Sequence, residues 1–237
     1  MQHQIEFGPS FAWLKVQLAP NEMIQAEAGS MVRQTPGLQM DTRLNAGRNA
    51  GFFSKLKAFF AAFARKFLGG ETMFVNDFHG PQGGEVVLAP SLSGHIMHQQ
   101  LDGARTLFIQ ASAYLASTGS VDTKLRFGGL KSMIGGEGLV LQECTGQGDV
   151  WINSYGGITE VPINGTFVVD TGHIVAFDGN LTFKVRSAGS GGGGFNLKAL
   201  LFSGEGLVCE FTGQGRVWIQ SRNLGSLVGW ISPYLHG

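Results

Sequence analysis

The sequence predicts an all-β protein built from three tandem β-sandwich repeats, with one inserted amphipathic helix. Glycine accounts for 37 of the 237 residues, about twice the usual share of roughly 7%, and it shows no collagen-like period. Glycines at this frequency are typical of turns and bulges between many short strands. A Gly-Glu motif, followed after one residue by two apolar residues, begins at Gly70, Gly136 and Gly204. This recurrence predicts the three repeats.

The spacing of the motif defines the repeat unit. Glu71, Glu137 and Glu205 are separated by 66 and 68 residues, which is long enough for each unit to form a small sheet. One such unit alone is too small to bury a full core, so three should pack around a pseudo-threefold axis or stack in a row. Of the two, we predict the pseudo-threefold arrangement. The repeats would span 1–90, 91–157 and 158–237 within one compact unit.

Each motif is followed by an alternating strand, at 84–89, 148–153 and 215–220. The second and third strands are preceded by Thr-Gly-Gln-Gly, which predicts a tight turn between two strands. They also contain Trp151 and Trp218, which we interpret as core or interface aromatics. A weaker correspondence aligns 41–44 with 122–125 and 182–185.

The first repeat carries an insertion, 51–68, whose residues predict a helix. At about 100° per residue, its large apolar side chains fall on one stripe roughly 120° wide. The stripe consists of Phe52, Phe53, Leu56, Phe59, Phe60, Phe63 and Phe67, and the basic residues outside it are Lys55, Lys57, Arg65 and Lys66. Such a stripe either packs against a sheet or subunit, as most amphipathic helices do, or lies in an anionic membrane surface. The absence of acids in the segment is compatible with membrane contact.

Composition limits the classes of partner. Charged residues make up only 14% of the chain, below the roughly 25% of an average soluble protein, which favours a homo-oligomer. The net charge is zero, so the chain has no broad electrostatic footprint for nucleic acid. The start shows no secretory signal, and we expect a cytoplasmic protein. Cys144 and Cys209 are then expected to be buried thiols rather than a disulfide.

The residues that could carry chemistry are few. The three motif glutamates could meet at the axis as a cation site, or each could accept hydrogen bonds at the same turn. The second reading is favoured, because repeats preserve folding determinants first. His95 and His98 would lie on opposite faces of a strand, so a shared metal is not expected. No Gly-x-Ser-x-Gly motif is present, and we expect no enzyme activity and no cofactor.

The triple Gly-Glu motif and the Thr-Gly-Gln-Gly-x-Val-Trp-Ile sequences at 145–152 and 212–219 resemble the family named for altered inheritance of mitochondria. The resemblance covers nearly the whole chain apart from the helical insertion. It implies a β-rich fold similar to that of the tryptophan RNA-binding attenuator protein, present three times. Mitochondrial relatives are associated with inner-membrane organisation, which implies a structural or scaffold role more than an enzymatic one, with a position peripheral to the inner membrane as an alternative to a purely cytoplasmic one. No catalytic residues are carried over.

Two functional classes follow. The first is a non-enzymatic scaffold or assembly protein, with a peripheral membrane role as one form of it. The second is a module that binds a small ligand or nucleic acid in clefts between repeats, by analogy with the attenuator fold. The neutral charge argues against nucleic acid, and the sequence leaves the ligand open.

Overall fold

The computed structural model describes residues 1–45, 74–128, 139–188 and 207–235. The chain is predominantly β in these ranges, as predicted, with sixteen strands and one α-helix. The strands are β1 (Gln2–Glu6), β2 (Trp13–Leu18), β3 (Met23–Glu27), β4 (Met31–Gln34), β5 (Gln39–Leu44), β6 (Phe74–His79), β7 (Gly84–Leu88), β8 (Ile96–Asp102), β9 (Leu107–Gln110), β10 (Tyr114–Thr118), β11 (Val121–Gly128), β12 (Leu139–Asn153), β13 (Ile158–Asp170), β14 (Ile174–Asp178), β15 (Thr182–Ser187) and β16 (Leu207–Gln220). The helix is α1 (Leu224–Leu235).

The strands form two sheets. The smaller has the order β1-β2-β7-β4. The larger has twelve strands, with β13-β16-β14-β9-β12-β10-β3-β6-β5 as its main path; β8 and β11 also pair with β12, and β15 pairs with β16. Neither sheet closes on itself within the ranges described, so β4 and β13 each keep one edge without a strand partner.

One set of strand pairings occurs in three successive segments of the chain, which comprise β2 to β7, β8 to β12 and β13 to β16. In the first segment, β2 and β4 pair with β7, while β3 and β5 pair with β6. In the second, β8 and β10 pair with the end of β12, while β9 and β11 pair with its beginning. In the third, the two halves of β13, together with β14 and β15, pair with β16 in the same way. A register shift also falls at the start of β4, β10 and β14 alike.

The predicted tight turns at Thr-Gly-Gln-Gly are wrong. Strands β12 and β16 each run through this sequence without a break. Gly146 and Gly213 have φ values of +98° and +131°, which glycine adopts without steric cost. Near these glycines each strand exchanges one set of pairing partners for another. In the first segment, by contrast, the equivalent strand is divided in two, because residues 80–83 separate β6 from β7.

Three hydrophobic clusters form the core, and each takes side chains from neighbouring segments. The first joins the first segment to Trp151, and the second joins the second segment to Trp218. Both tryptophans are fully or almost fully buried, at 0% and 1% exposure, so of the two predicted places, core or interface, the structure shows the core. Their counterpart in the first segment is Val87, which lies opposite Arg33 across the β4–β7 register.

Helix α1 was not predicted from the sequence. Asn223 caps its start, since the Asn223 side-chain oxygen accepts a hydrogen bond from the Ser226 N–H at 3.3 Å. Gly225, Gly229 and Pro233 have low helix propensity, and they obscure the apolar spacing of the segment. No residue of α1 is buried. Among the described residues, no helix is both long and apolar enough to cross a membrane.

Candidate functional site

The residues selected from the sequence as candidate sites lie outside the described ranges. They are Phe52, Phe53, Leu56, Phe59, Phe60, Phe63, Phe67, Lys55, Lys57, Arg65 and Lys66 of the insertion, and the motif glutamates Glu71, Glu137 and Glu205. Their assignments remain predictions. Two other features of the described surface were missed by sequence reasoning, namely an exposed apolar end and a cleft between two segments.

The apolar end includes helix α1. Trp230, Tyr234 and Leu235 are 67%, 75% and 73% exposed, and the Trp230 and Tyr234 rings lie 5.8 Å apart. The helix contains no charged residue. Its large side chains form one broad apolar stripe, with glycine, serine and proline on the other face. Leu227 and Ile231 are half-buried, so most of the stripe faces solvent.

A second exposed apolar segment, the turn at Phe7–Phe11, is linked through Gly94 and Gly156 to the residues before α1. Phe7 and Phe11 are 65% and 74% exposed. The residue after Phe11 donates its N–H to the Gly94 carbonyl, and Gly94 forms a β-bridge with Gly156. A methyl group added to Gly156 would lie 2.8 Å from the Arg222 side chain, two residues before α1. We call this turn and α1 together the apolar end.

The cleft lies at the junction of the second and third segments, around Asp178. One Asp178 carboxylate oxygen accepts from Arg105 Nε at 2.6 Å, and the other accepts from Arg216 Nε and the Arg216 backbone N–H, both at 3.0 Å. The carbon atoms of the two guanidinium groups lie 5.3 Å and 5.1 Å from the centre of the buried Trp218 ring. The arginines therefore have fixed positions beside the carboxylate.

Two adjoining cavities open beside these arginines, with volumes of about 480 Å³ and 560 Å³. Both are lined by Asp178, Asn180 and Arg216, and Arg105 lines the first. Arg105 Nη1 donates to Gln99 Oε1 at 3.2 Å, whereas Arg105 Nη2 is buried without a hydrogen-bond partner. A buried guanidinium nitrogen without an acceptor is costly, so this group has capacity for a ligand or water.

The junction of the first and second segments contains a buried polar network instead. Gln25 donates to the Tyr114 hydroxyl at 3.0 Å and to Thr123 Oγ1 at 2.7 Å, and it accepts from Arg43 Nη2. Burial raises the pKa of Tyr114, so this hydroxyl stays protonated and acts in hydrogen bonding. At the corresponding register of the other junction, Phe108 and Phe177 stack with ring centres 5.3 Å apart. The two junctions thus use different chemistry on one backbone arrangement.

The nucleophilic and metal-ligating side chains are mostly engaged. Cys144 and Cys209 are free and buried, which confirms the expected thiols. Burial raises the pKa of Cys209 to about 12 and raises that of Cys144 as well, so neither is a ready thiolate. His98 lies on β8 with Nε2 2.8 Å from Asp149. The described part of the chain holds no group of three or more side chains suited to a metal ion.

The fold and these surfaces define an all-β protein with two candidate interaction sites, namely the apolar end and the cleft around Asp178. The profile of the family described as mitochondrial biogenesis AIM24 matches residues 3–222. The chain therefore belongs to this family, as the sequence resemblance predicted.

Two relatives come from Streptococcus pyogenes. An uncharacterized protein of serotype M6 is 29% identical over 238 residues, covering 99% of this chain and 91% of the relative. The crystal structure of protein SPYM3_0169 superposes with a TM-score of 0.78 at 28% identity, covering 98% of this chain and 99% of the other. This similarity extends over essentially the whole chain.

Proposed function

We propose that the protein is a non-enzymatic scaffold or assembly protein that acts at a membrane surface. The observation that carries this proposal is the apolar end, where α1 exposes a tryptophan, a tyrosine and several aliphatic side chains without any charge. Contiguous exposed apolar groups mark interaction surfaces in folded proteins. A lipid interface is the partner that fits this composition.

The side chains of α1 favour lipid over water. Tryptophan and tyrosine are enriched at membrane interfaces, where the ring lies near the acyl chains and the polar group faces water. The twelve residues of α1 would extend only about 18 Å as a helix, so contact along the surface suits them better than spanning. Phe7 and Phe11 would add apolar contacts from the linked turn.

The inserted segment 51–68 supplies the second part of the membrane proposal. Its phenylalanine stripe would meet acyl chains, and Lys55, Lys57, Arg65 and Lys66 would meet anionic head groups. The charge on this segment complements the uncharged α1.

The architecture suited to a scaffold is three attenuator-like repeats around a pseudo-threefold axis. The recurring pairings and the three register shifts support it. At each junction, a strand that carries a register shift pairs with a strand of the preceding segment. These pairs are β10 with β3 and β14 with β9. The free edges of β4 and β13 would make the third junction, either within one chain or between copies.

The non-enzymatic character is supported by the state of the reactive groups. Both thiols are buried with raised pKa values, and both Asp178 oxygens already accept hydrogen bonds. These groups are therefore poorly placed to act as a nucleophile or a base.

Vesicle cosedimentation tests the membrane proposal. Full-length protein should bind vesicles of phosphatidylglycerol and phosphatidylcholine, and Trp230→Ser/Tyr234→Ser should weaken that binding strongly. The melting temperature should change little, because both side chains are mostly exposed. The control is Met40→Ser, which removes an apolar side chain that is 45% exposed from β5, away from α1. Unchanged binding by the Trp230/Tyr234 variant would contradict a role for the apolar end.

A second candidate function is favoured by a different observation. The partnerless Arg105 Nη2 beside a cavity favours a small-ligand binding module that uses the cleft between segments. This function is compatible with a scaffold, since a ligand at a junction would stabilise the assembled segments.

A further inference from the structure

We infer that the cleft around Asp178 binds a small soluble oxyanion, one that presents a phosphate or carboxylate group to Arg105 and Arg216. The inference rests on the second candidate function and gives that site a ligand class. It does not depend on the membrane proposal.

The hydrogen bonds at Asp178 indicate that the cleft suits an anion better than a cation. The Asp178 carboxylate is buried, and its two oxygens together accept three N–H groups, one from Arg105 and two from Arg216. It therefore has little capacity left to hold a cation. Each arginine contacts it through Nε, which leaves the terminal nitrogens as the available donors.

These terminal nitrogens are incompletely used. Arg105 Nη2 is buried and has no acceptor. Arg216 Nη1 has only a long ion pair of 4.0 Å with Glu160, whose side chain is 46% exposed and therefore well screened by water. An oxyanion in the 480 Å³ cavity could accept from the more exposed Arg216 directly, and from Arg105 Nη2 once that side chain turns toward the cavity; such charge-assisted bonds are the strong ones.

Trp218 makes the two arginines a preorganised pair. Its ring is 1% exposed and lies within about 5 Å of both guanidinium carbons. The side chains of Arg105 and Arg216 are 20% and 37% exposed. Because contacts with Trp218 and Asp178 already restrict both side chains, less rotamer entropy would be lost when a ligand binds.

The other junction shows that the fold does not need these arginines. In the strand register of that junction, Thr118 occupies the position of Asp178. Thr118 lies opposite Ile24, and Asp178 lies opposite Leu107. At the positions equivalent to Arg105 and Arg216, that junction has Glu22 and Asp149. Glu22 binds the N-terminal ammonium group at 2.8 Å, and Asp149 contacts His98. At equivalent positions one junction carries two arginines and its counterpart carries two acids, so the shared backbone arrangement does not itself require the arginines.

The position of the cleft favours a soluble ligand over a lipid head group. Arg216 and Gln220 lie four residues apart on β16, a span of about 13 Å along the strand. Gln220 marks the end of β16 that leads into α1. The cleft therefore lies about that distance along β16 from the residues that lead into α1. Asp102, at the rim of the cavity, accepts from the backbone N–H groups of Ala104 and Arg105 at 3.0 Å and is open to solvent.

Arginine side-chain NMR tests the inference in the unchanged full-length protein. Inorganic phosphate and citrate are titrated separately, with sodium chloride at the same ionic strength as the reference. The Nε–H resonances of Arg105 and Arg216 should shift in a saturable manner with at least one of the two anions. The resonance of Arg126, which is 58% exposed and paired with Glu143, is the internal control. Absence of a saturable shift at Arg105 with either anion would overturn the inference.

Variants provide a second readout by calorimetry. Arg216→Gln should weaken the Kd of the bound anion about 10- to 100-fold, the usual cost of losing a charge-assisted bond. Arg126→Gln makes the same charge change and should leave the Kd within about twofold. Equal weakening in both variants would show a non-specific ionic effect and overturn the site.

The source of the oxyanion and the membrane proposal are tested separately. Anionic vesicles that shift Arg105 when phosphate and citrate do not would identify a lipid head group and overturn the soluble ligand. The titration with whichever anion binds is repeated with Trp230→Ser/Tyr234→Ser, which should bind that anion unchanged. Failure of vesicle binding and failure of anion binding are therefore distinguishable.

Discussion

Arg43 Nε lies 2.6 Å from Asp77 Oδ2 across strands β5 and β6, and this pair has two counterparts. Arg126 and Glu143 meet at 2.7 Å, and Arg186 and Glu210 meet at 3.0 Å. In each case the carboxylate lies two residues beyond the residue directly opposite the arginine. A diagonal pair of this kind is within reach of long side chains in an antiparallel ladder.

The three pairs should differ in their contribution to stability. The side chains of Arg43 and Asp77 are 28% and 13% exposed, and Arg43 also donates to buried Gln25. Arg43→Met would leave the Gln25 oxygen without this donor, so we expect a loss of about 1–3 kcal/mol in the free energy of unfolding. Urea denaturation measures the loss.

Arg126→Met is the matched control, because the Arg126 side chain is 58% exposed and its ion pair is screened by water. A change within about 0.5 kcal/mol is expected there. Equal losses in the two variants would show that the Gln25 network adds nothing to the first pair.

The Arg–carboxylate pairs also show what sequence reasoning could predict. The all-β class, the strands after each motif, the buried tryptophans and the buried thiols were predictable, because alternation and glycine spacing report local geometry. The alignment of 41–44 with 122–125 was wrong by two residues, since it matched Arg43 with Lys124. The strand register instead matches Arg43 with Arg126.

The cleft and α1 were not predictable for physical reasons. Arg105, Asp178 and Arg216 are far apart in the chain, and only the pairing of β14 with β9 and β16 brings them together. Helix α1 contains two glycines and a proline, so propensity argues against it even though Asn223 caps its first turn. Tertiary strand pairing decides the cleft, whereas the N-terminal cap at Asn223 is the one local signal for α1.

Paired cysteines test the third junction of the pseudo-threefold arrangement. The register of the other junctions, where Ser117 pairs with Gln25 and Phe177 with Phe108, would place Gln34 opposite Val168. Gln34→Cys/Val168→Cys should therefore form a disulfide within one chain, seen as a faster band on a non-reducing gel without a change in mass. The native thiols are buried and should not compete.

Gln34→Cys/Glu160→Cys is the control, because Glu160 lies toward the other end of β13 and should give no intrachain disulfide. Dimers linked through residues 34 and 168 would instead show that the free edges pair between copies. That result would contradict closure within one chain and support self-association.

The pH dependence of stability should include a contribution from His3. Its ring lies 4.6 Å from the His98 ring and 5.1 Å from the Trp151 ring. Partial burial, and then the neighbouring His98, lower the pKa of His3, although Asp149 opposes this shift. The unfolded chain then binds a proton more readily than the folded one, so stability should fall as pH drops below the ordinary histidine pKa of about 6.5.

His3→Gln should reduce this acid-side loss, measured as the urea midpoint between about pH 7.5 and pH 5. The variant and the unchanged protein should have similar pH dependence above about pH 7, where the His3 ring is neutral in both states. His173→Gln is the comparison, since His173 contacts the Gln220 carbonyl at 2.7 Å away from this cluster. An identical acid-side slope with and without His3 would contradict the assignment.

The last prediction concerns the inserted segment 51–68, whose phenylalanine stripe has two competing interpretations. If the stripe meets lipid, Phe59→Ser/Phe63→Ser should abolish binding to anionic vesicles and leave the melting temperature nearly unchanged, because an exposed stripe contributes little to the fold. If it packs on protein, the same change should remove buried aromatic contacts that cost about 3 kcal/mol or more each. The melting temperature would then fall sharply. Cosedimentation and a melting curve on this one variant separate the interpretations, with Trp230→Ser/Tyr234→Ser measured beside it. Retained vesicle binding with a large loss of stability would rule out the membrane role of the insertion. Helix α1 would then be the remaining candidate for membrane contact.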